Sequence, residues 1–180
     1  MKELVNRTSI IILLTFASNQ ANSKCNVEKG SLDNGSIFYA HGKEVIYKNA
    51  DLEWGILVAL VRIFVIQSPT DKDLLQFLMR IDVGKSGSKK MVVPRKISIV
   101  FMDYSSIDLM AESMKAPTKS GEIYFEHSTF RLHTDSYLKI MKNSIKTITI
   151  IDSRENRELT CQPYKDILLE QANCIGAELE

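Results

Sequence analysis

The sequence predicts an α+β fold, mainly an antiparallel sheet of about seven to nine strands, with two helices near the C-terminus. Three observations carry that expectation. In LQFLMRIDV, residues 75–83, Leu75, Phe77, Met79, Ile81 and Val83 alternate with Gln76, Arg80 and Asp82. That is the period of a strand with one buried face; Leu78 is the exception. Turn-forming residues separate several such runs at short intervals, as antiparallel pairing requires. Only in the last third does helical spacing take over, most clearly at Tyr164, Ile167, Leu168, Gln171 and Ile175.

The first 23 residues read as a cleavable export signal. Lys2 and Arg7 give a basic start, SIIILLTFA is a short apolar core, and Ala21 and Ser23 place small residues at the cleavage positions. The alternative is an N-terminal core helix. Lys24 precedes Cys25 where a lipid-anchored protein carries a small residue, so a soluble released chain is expected. Residues 24–35 read as a flexible leader, 36–176 as a single α+β domain, and 177–180 as a tail.

Within the domain, SIFYAHGKEVIYK reads as a hairpin turning at His41 and Gly42. Residues 56–67 are apolar on both alternations, which suits a central strand covered on both faces, or alternatively a buried helix. Pro69 ends that run. Residues 96–111 read as two strands about a turn at 103–106, residues 114–122 as a polar loop, and 123–133 as a strand. Thr134 or Asp135 can cap a short helix with Tyr137, Leu138 and Met141 on one face. Residues 145–162 form a second hairpin around SREN. Pro163 suits the start of a closing helix and Gly176 its end.

Composition narrows the function classes. The 180 residues are 44% hydrophobic and 25% charged, an ordinary globular balance with room for one core. Removing Lys2, Arg7 and Glu3 from the 23 basic and 22 acidic residues leaves 21 of each. A neutral chain has no global attraction for nucleic acid or anionic membrane, so no nucleic-acid partner is expected. No segment after the leader is long and apolar enough for a transmembrane helix; WGILVALVRIFVIQ is short and contains Arg62.

The stretch VGKSGSKK invites comparison with a phosphate-binding loop. Such a loop needs a glycine five positions before its Gly-Lys-Ser, and Met79 stands there inside an alternating strand. The stretch therefore reads as a hairpin tip. Lys85, Lys89, Lys90, Arg95 and Lys96 around it form a candidate anion-contact patch. It lacks the interleaved aromatics of a base-stacking surface.

The residues KISIVFMDYSSIDLM, FRLHTDSYLKIMKNSIKTITIID and ANCIG resemble a broad group of small exported bacterial β-rich proteins of unknown function. The likeness spans roughly residues 75–176 and implies fold and compartment, with no activity to transfer. Asp103-Tyr104 stands where that group carries an Asp-Gly turn.

Three cysteines leave at least one unpaired. A continuous helix over 163–174 would hold its ends about 16 Å apart, too far for Cys161 to bridge to Cys174. Cys161 also shares strand parity with Leu159, which points it inward as an inert thiol. Cys25 with Cys174 is the remaining pair, the alternative being no disulfide. The three histidines, His41, His127 and His133, form no metal-binding spacing, and no Gly-x-Ser-x-Gly elbow occurs. No catalytic, cofactor or metal site is therefore expected. The expectation is a non-catalytic exported protein, periplasmic or secreted, that binds a macromolecular or envelope partner. Two alternatives stand beside it: a small-ligand or lipid binder with a pocket lined by Phe64, Phe77 and Phe101, and a hydrolase without a recognisable motif.

Overall fold

In the computed structural model, residues 25–51, 55–86 and 92–179 are described; the expected export signal at 1–23 lies outside them. The chain runs through the strands β1 (Val27–Ser31), β2 (Ile37–His41), β3 (Glu44–Asp51), β4 (Gly55–Gln67), β5 (Leu75–Lys85), β6 (Lys96–Phe101), β7 (Ser106–Ser120) and β8 (Ile123–Leu132). Helix α1 (Thr134–Ile140) follows, then β9 (Ile145–Asp152), β10 (Arg157–Cys161) and the closing helix α2 (Ile167–Leu179). The ten strands pair in the order β1-β2-β4-β5-β8-β7-β6-β9-β10, with β3 also on β4. Every pairing is antiparallel.

The molecule is mostly antiparallel sheet with two helices, and more β-rich than the α+β expectation. Two segments account for the difference. Residues 27–31, expected as leader, pair with β2 from Val27↔His41 to Ser31↔Ile37. Residues 114–120, expected as a loop, continue β7 and pair with β8. Their side chains are exposed on both alternations, so no hydrophobic period marks them. Of the helices, α2 closes the chain, whereas α1 lies between β8 and β9. Gly176 does not end α2, which runs through Leu179, so residues 177–179 of the expected tail are part of that helix.

The hairpin expected around His41 and Gly42 is not one. Strands β2 and β3 lie one after the other along the same edge of β4, β2 on residues 64–67 and β3 on 55–61. Residues 42–43 are a break in what is otherwise one long strand. The break leaves the Ile63 amide without a strand partner on that side, and the Gln171 side chain from α2 accepts its hydrogen bond at 2.8 Å. Gln171 is fully buried to do so.

Strand β7 carries the sheet around. Its first residues pair with β6, from Ser106↔Val100 to Met110↔Lys96, and from Ala111 onward it pairs with β8. Register shifts at 111–113 and 115–118 bend it between the two duties. The turn packs the inward rows of both halves into one core. Ala59, Val61, Ile63 and Val65 of β4 and Met79, Ile81 and Val83 of β5 join Ile97, Ile99 and Phe101 of β6 and Ile148 and Ile150 of β9. Helix α2 adds Ile167, Leu168, Ala172 and Ile175. Residues 56–67, for which strand and buried helix stood open, are strand β4. Its second face, with Leu60, Arg62, Phe64 and Ile66, is only half-buried.

Candidate functional site

Alternation along β4 and β5 sends every second side chain to the face away from the core. On that outward face the register sets Arg62 directly opposite Arg80, and Asp82 directly opposite His127 of β8. Lys43 reaches the same face from the break between β2 and β3. The result is a polar cluster on a sheet whose other face is aliphatic.

Asp82 is the centre of it and is 1% exposed. Its Oδ2 meets Lys43 Nζ at 2.6 Å, and its Oδ1 meets Arg80 Nε at 2.7 Å and His127 Nδ1 at 2.7 Å. Burial would raise the Asp82 pKa, but hydrogen bonds from Lys43, His127 and Arg80 outweigh it and hold the carboxyl below its ordinary value. A carboxylate only accepts, so Nδ1–H of His127 is a donor; in the neutral ring Nε2 then accepts from the Thr118 hydroxyl at 2.7 Å. Thr118 stands at the second bulge of β7, which offsets its register against β8.

His127 is also braced from its other side. The Phe125 ring lies parallel to it, with centroids 6.3 Å apart. A Cβ on Gly84 would sit at clashing distance from the Phe125 ring. Gly84, the first glycine of VGKSGSKK, therefore makes room for a ring that packs on the buried histidine, a role unconnected with phosphate.

Arg62 is the exception among the cations. It makes no ion pair among the described residues, and its Nε is buried without a hydrogen-bond partner. Its guanidinium lies 5.8 Å from the Phe64 ring centroid. Burial first, and the neighbouring Arg80 second, lower its pKa from the ordinary arginine value.

The residues singled out in the sequence fall as follows. Cys25 and Cys174 form a disulfide, with Cα atoms 5.3 Å apart. Cys161 is free and buried, and burial pushes its thiol pKa up to about 12, consistent with an inert core residue. The residues of the expected anion patch have different surroundings where they are described. Lys89 and Lys90 lie outside the described residues, and Lys85 is buried at the end of β5. Arg95 pairs with the buried Asp152 at 3.3 Å, and Lys96 with Asp108 at 2.8 Å. The stretch is no hairpin tip either, because β5 pairs with β4 and β8 while β6 pairs with β7 and β9.

The three phenylalanines expected around a pocket do not converge. Phe101 is fully buried in the core, Phe77 stacks on Tyr137 at 4.0 Å, and Phe64 faces outward beside Arg62. His41 is buried with its Nδ1 at 3.1 Å from the Gly42 carbonyl, and His133 is the exposed residue before α1. The Asp82–His127 pair was missed in the sequence. Asp82 alternates with Arg80 on the polar side of its strand, but its partner is 45 residues away and is fixed only by the β5–β8 register.

Among the described residues, no group of three or more His, Cys, Asp or Glu side chains could hold a metal ion, and no helix is long and apolar enough to cross a membrane. No family model matches this chain, and neither do any curated protein or solved structure.

Proposed function

We propose that this is an exported, non-catalytic binding protein that engages a macromolecular or envelope partner through the outward face of its sheet. The disulfide supports export, since such bonds persist in oxidising compartments. The carrying observation is the outward cluster of Lys43, Arg62, Arg80, Asp82 and His127, where cations outnumber the carboxylate. Photo-crosslinking tests this. A crosslinking amino acid at Thr129, on the same strand face as His127, should give adducts in envelope or culture-medium fractions. The same group at exposed Lys142 should not. Equal labelling at both positions would remove the reading.

A second reading has one observation in its favour. Thr118, His127 and Asp82 form a hydroxyl–imidazole–carboxylate line with both links at 2.7 Å, the order of a nucleophile relay. Against it, the Asp82 charge is already engaged by Lys43 and Arg80, which weakens its hold on an imidazolium. The expected result with p-nitrophenyl acetate is no turnover above that of His127→Ala. Turnover abolished by both H127A and T118A would make the protein a hydrolase.

A further inference from the structure

We propose that Arg62 is the anchor of an oxyanion-binding site, taking a carboxylate or phosphate group on the outward face of β4 and β5. This rests on the reading of that face as the binding surface and names the chemistry it selects. The first support is the register. Arg62 stands directly opposite Arg80, and like charges directly opposed across strands destabilise a sheet. Such a pair adds no stability to the sheet itself.

The second support is the count of counter-charges. Lys43, Arg62 and Arg80 share one nearby carboxylate, and Asp82 already accepts from Lys43, Arg80 and His127. Glu28 faces the same way but lies two strands over, through Ala40 to Phe64, and makes no described ion pair with Arg62. Asp82 and Glu28 attract the guanidinium only at longer range.

The third support is desolvation. A solvated surface arginine keeps its donors in water, whereas the Arg62 Nε is shut off from water and bonded to nothing. The Nη groups of the same half-buried side chain are not shut off in this way, and their fork can donate two parallel hydrogen bonds to a pair of carboxylate or phosphate oxygens. The Phe64 ring beside it fixes one side of the guanidinium and leaves an amphiphilic margin suited to an anionic group borne on a larger molecule.

The test uses the disulfide-bonded chain without its first 23 residues. Inorganic phosphate and acetate are titrated separately at constant ionic strength, with the backbone amides of residues 62 and 80 and the Arg Nε–H resonances followed by NMR. The expected result is a saturable shift of the Arg62 Nε–H and of both amides with at least one anion, the amide shifts showing affinity weakened about tenfold or more in Arg62→Leu. Arg62→Lys keeps the charge, loses the fork, and should also bind more weakly; it decides the question if R62L does not fold. Lys142→Gln, an exposed charge removal, should bind as the parent does. Response to phosphate alone assigns a phosphate-bearing partner, and response to acetate assigns a carboxylate. Equal affinity in R62K and the parent, an adventitious ion only, would overturn the site, as would no saturation by either anion up to roughly 50 mM. Crosslinking at Thr129 without anion binding would sink this inference and leave the binding face standing.

Discussion

At the scale of single residues, Asp82 is where the molecule concentrates electrostatic risk. A buried carboxylate with three donors is held firmly, but each donor depends on its charge. Asp82→Asn would leave Lys43 and Arg80 facing a neutral amide, and should cost about 3 kcal/mol by chemical denaturation. The pH dependence carries its own sign. The folded pKa lies below the unfolded one, so at intermediate pH the unfolded chain binds more protons and stability rises with pH. The contribution is complete above the unfolded carboxylate value of about 3.9, and is lost as pH falls through the lower folded value. Wild type should therefore lose stability in acid more steeply than D82N, and parallel acid limbs would show that Asp82 is not the group responsible. A second residue-scale expectation concerns Gly84. Gly84→Ala must displace the Phe125 ring from its place over the strand and should cost about 1–3 kcal/mol. The cluster around Asp82 was not legible in the sequence because no local spacing encodes it. Arg80 and Asp82 could be placed on one polar face, but Lys43, Thr118 and His127 come from three other segments and meet them only through strand order and register. Cys161 was legible, because parity with Leu159 is a local property of one strand.

At the scale of elements, the break between β2 and β3 decides how helix and sheet lock together. One strand amide is orphaned at Ile63, and one glutamine from α2 satisfies it. Gln171→Leu keeps the volume but leaves that amide buried and unpaired, which costs about 1–3 kcal/mol. The buried Gln171 Nε2 has no partner, and removing it offsets part of the loss. The specific readout is hydrogen exchange: the Ile63 amide should lose protection while those of Ile81 on β5 and Ile99 on β6 keep theirs. Loss spread evenly over the sheet would mean that the glutamine does not act locally. Elements with a buried face were readable from period alone, as in β5, β6 and β9, where inward rows are aliphatic. Elements defined by an edge were not. β1 is held by pairing and a disulfide, and distal β7 is exposed on both sides, so neither leaves a hydrophobic pattern. Distal β7, which pairs only with β8 among the described residues, carries Lys115, Pro117 and Lys119, with a bulge at 115–118, features that keep a sheet edge from pairing with other chains. Replacing all three by Val should raise aggregation during refolding, measured by light scattering, with little change in the folded spectrum.

At the scale of the whole molecule, the two ends of the described chain are tied to each other. Cys25 precedes the edge strand β1, and Cys174 lies in α2, which packs on β2 and β4 and carries the Gln171 plug. The bridge spans a separation of 149 residues, nearly the whole described chain. On the chain-entropy account, closing a loop that long restricts the unfolded ensemble by about 5 kcal/mol, a ceiling that measured disulfides commonly fall below. Reduction also releases β1, a five-residue strand that pairs only with β2 among the described residues. The expected effect of Cys25→Ser is therefore a loss of about 2–4 kcal/mol and a fall in thermal midpoint of roughly 5–15 °C for a domain of this size. Because the bond acts mainly on the unfolded state, the core of C25S should keep its native packing, with β1 and the α2 contact loosened first. Thiol counting makes the chemistry explicit. Denatured, unreduced protein should show one reactive thiol, Cys161, and reduced denatured protein three. Native protein should react slowly even at that one, since its thiol is buried and its pKa raised. Three free thiols in the unreduced chain would break the tie between the two ends, and with it the support for export.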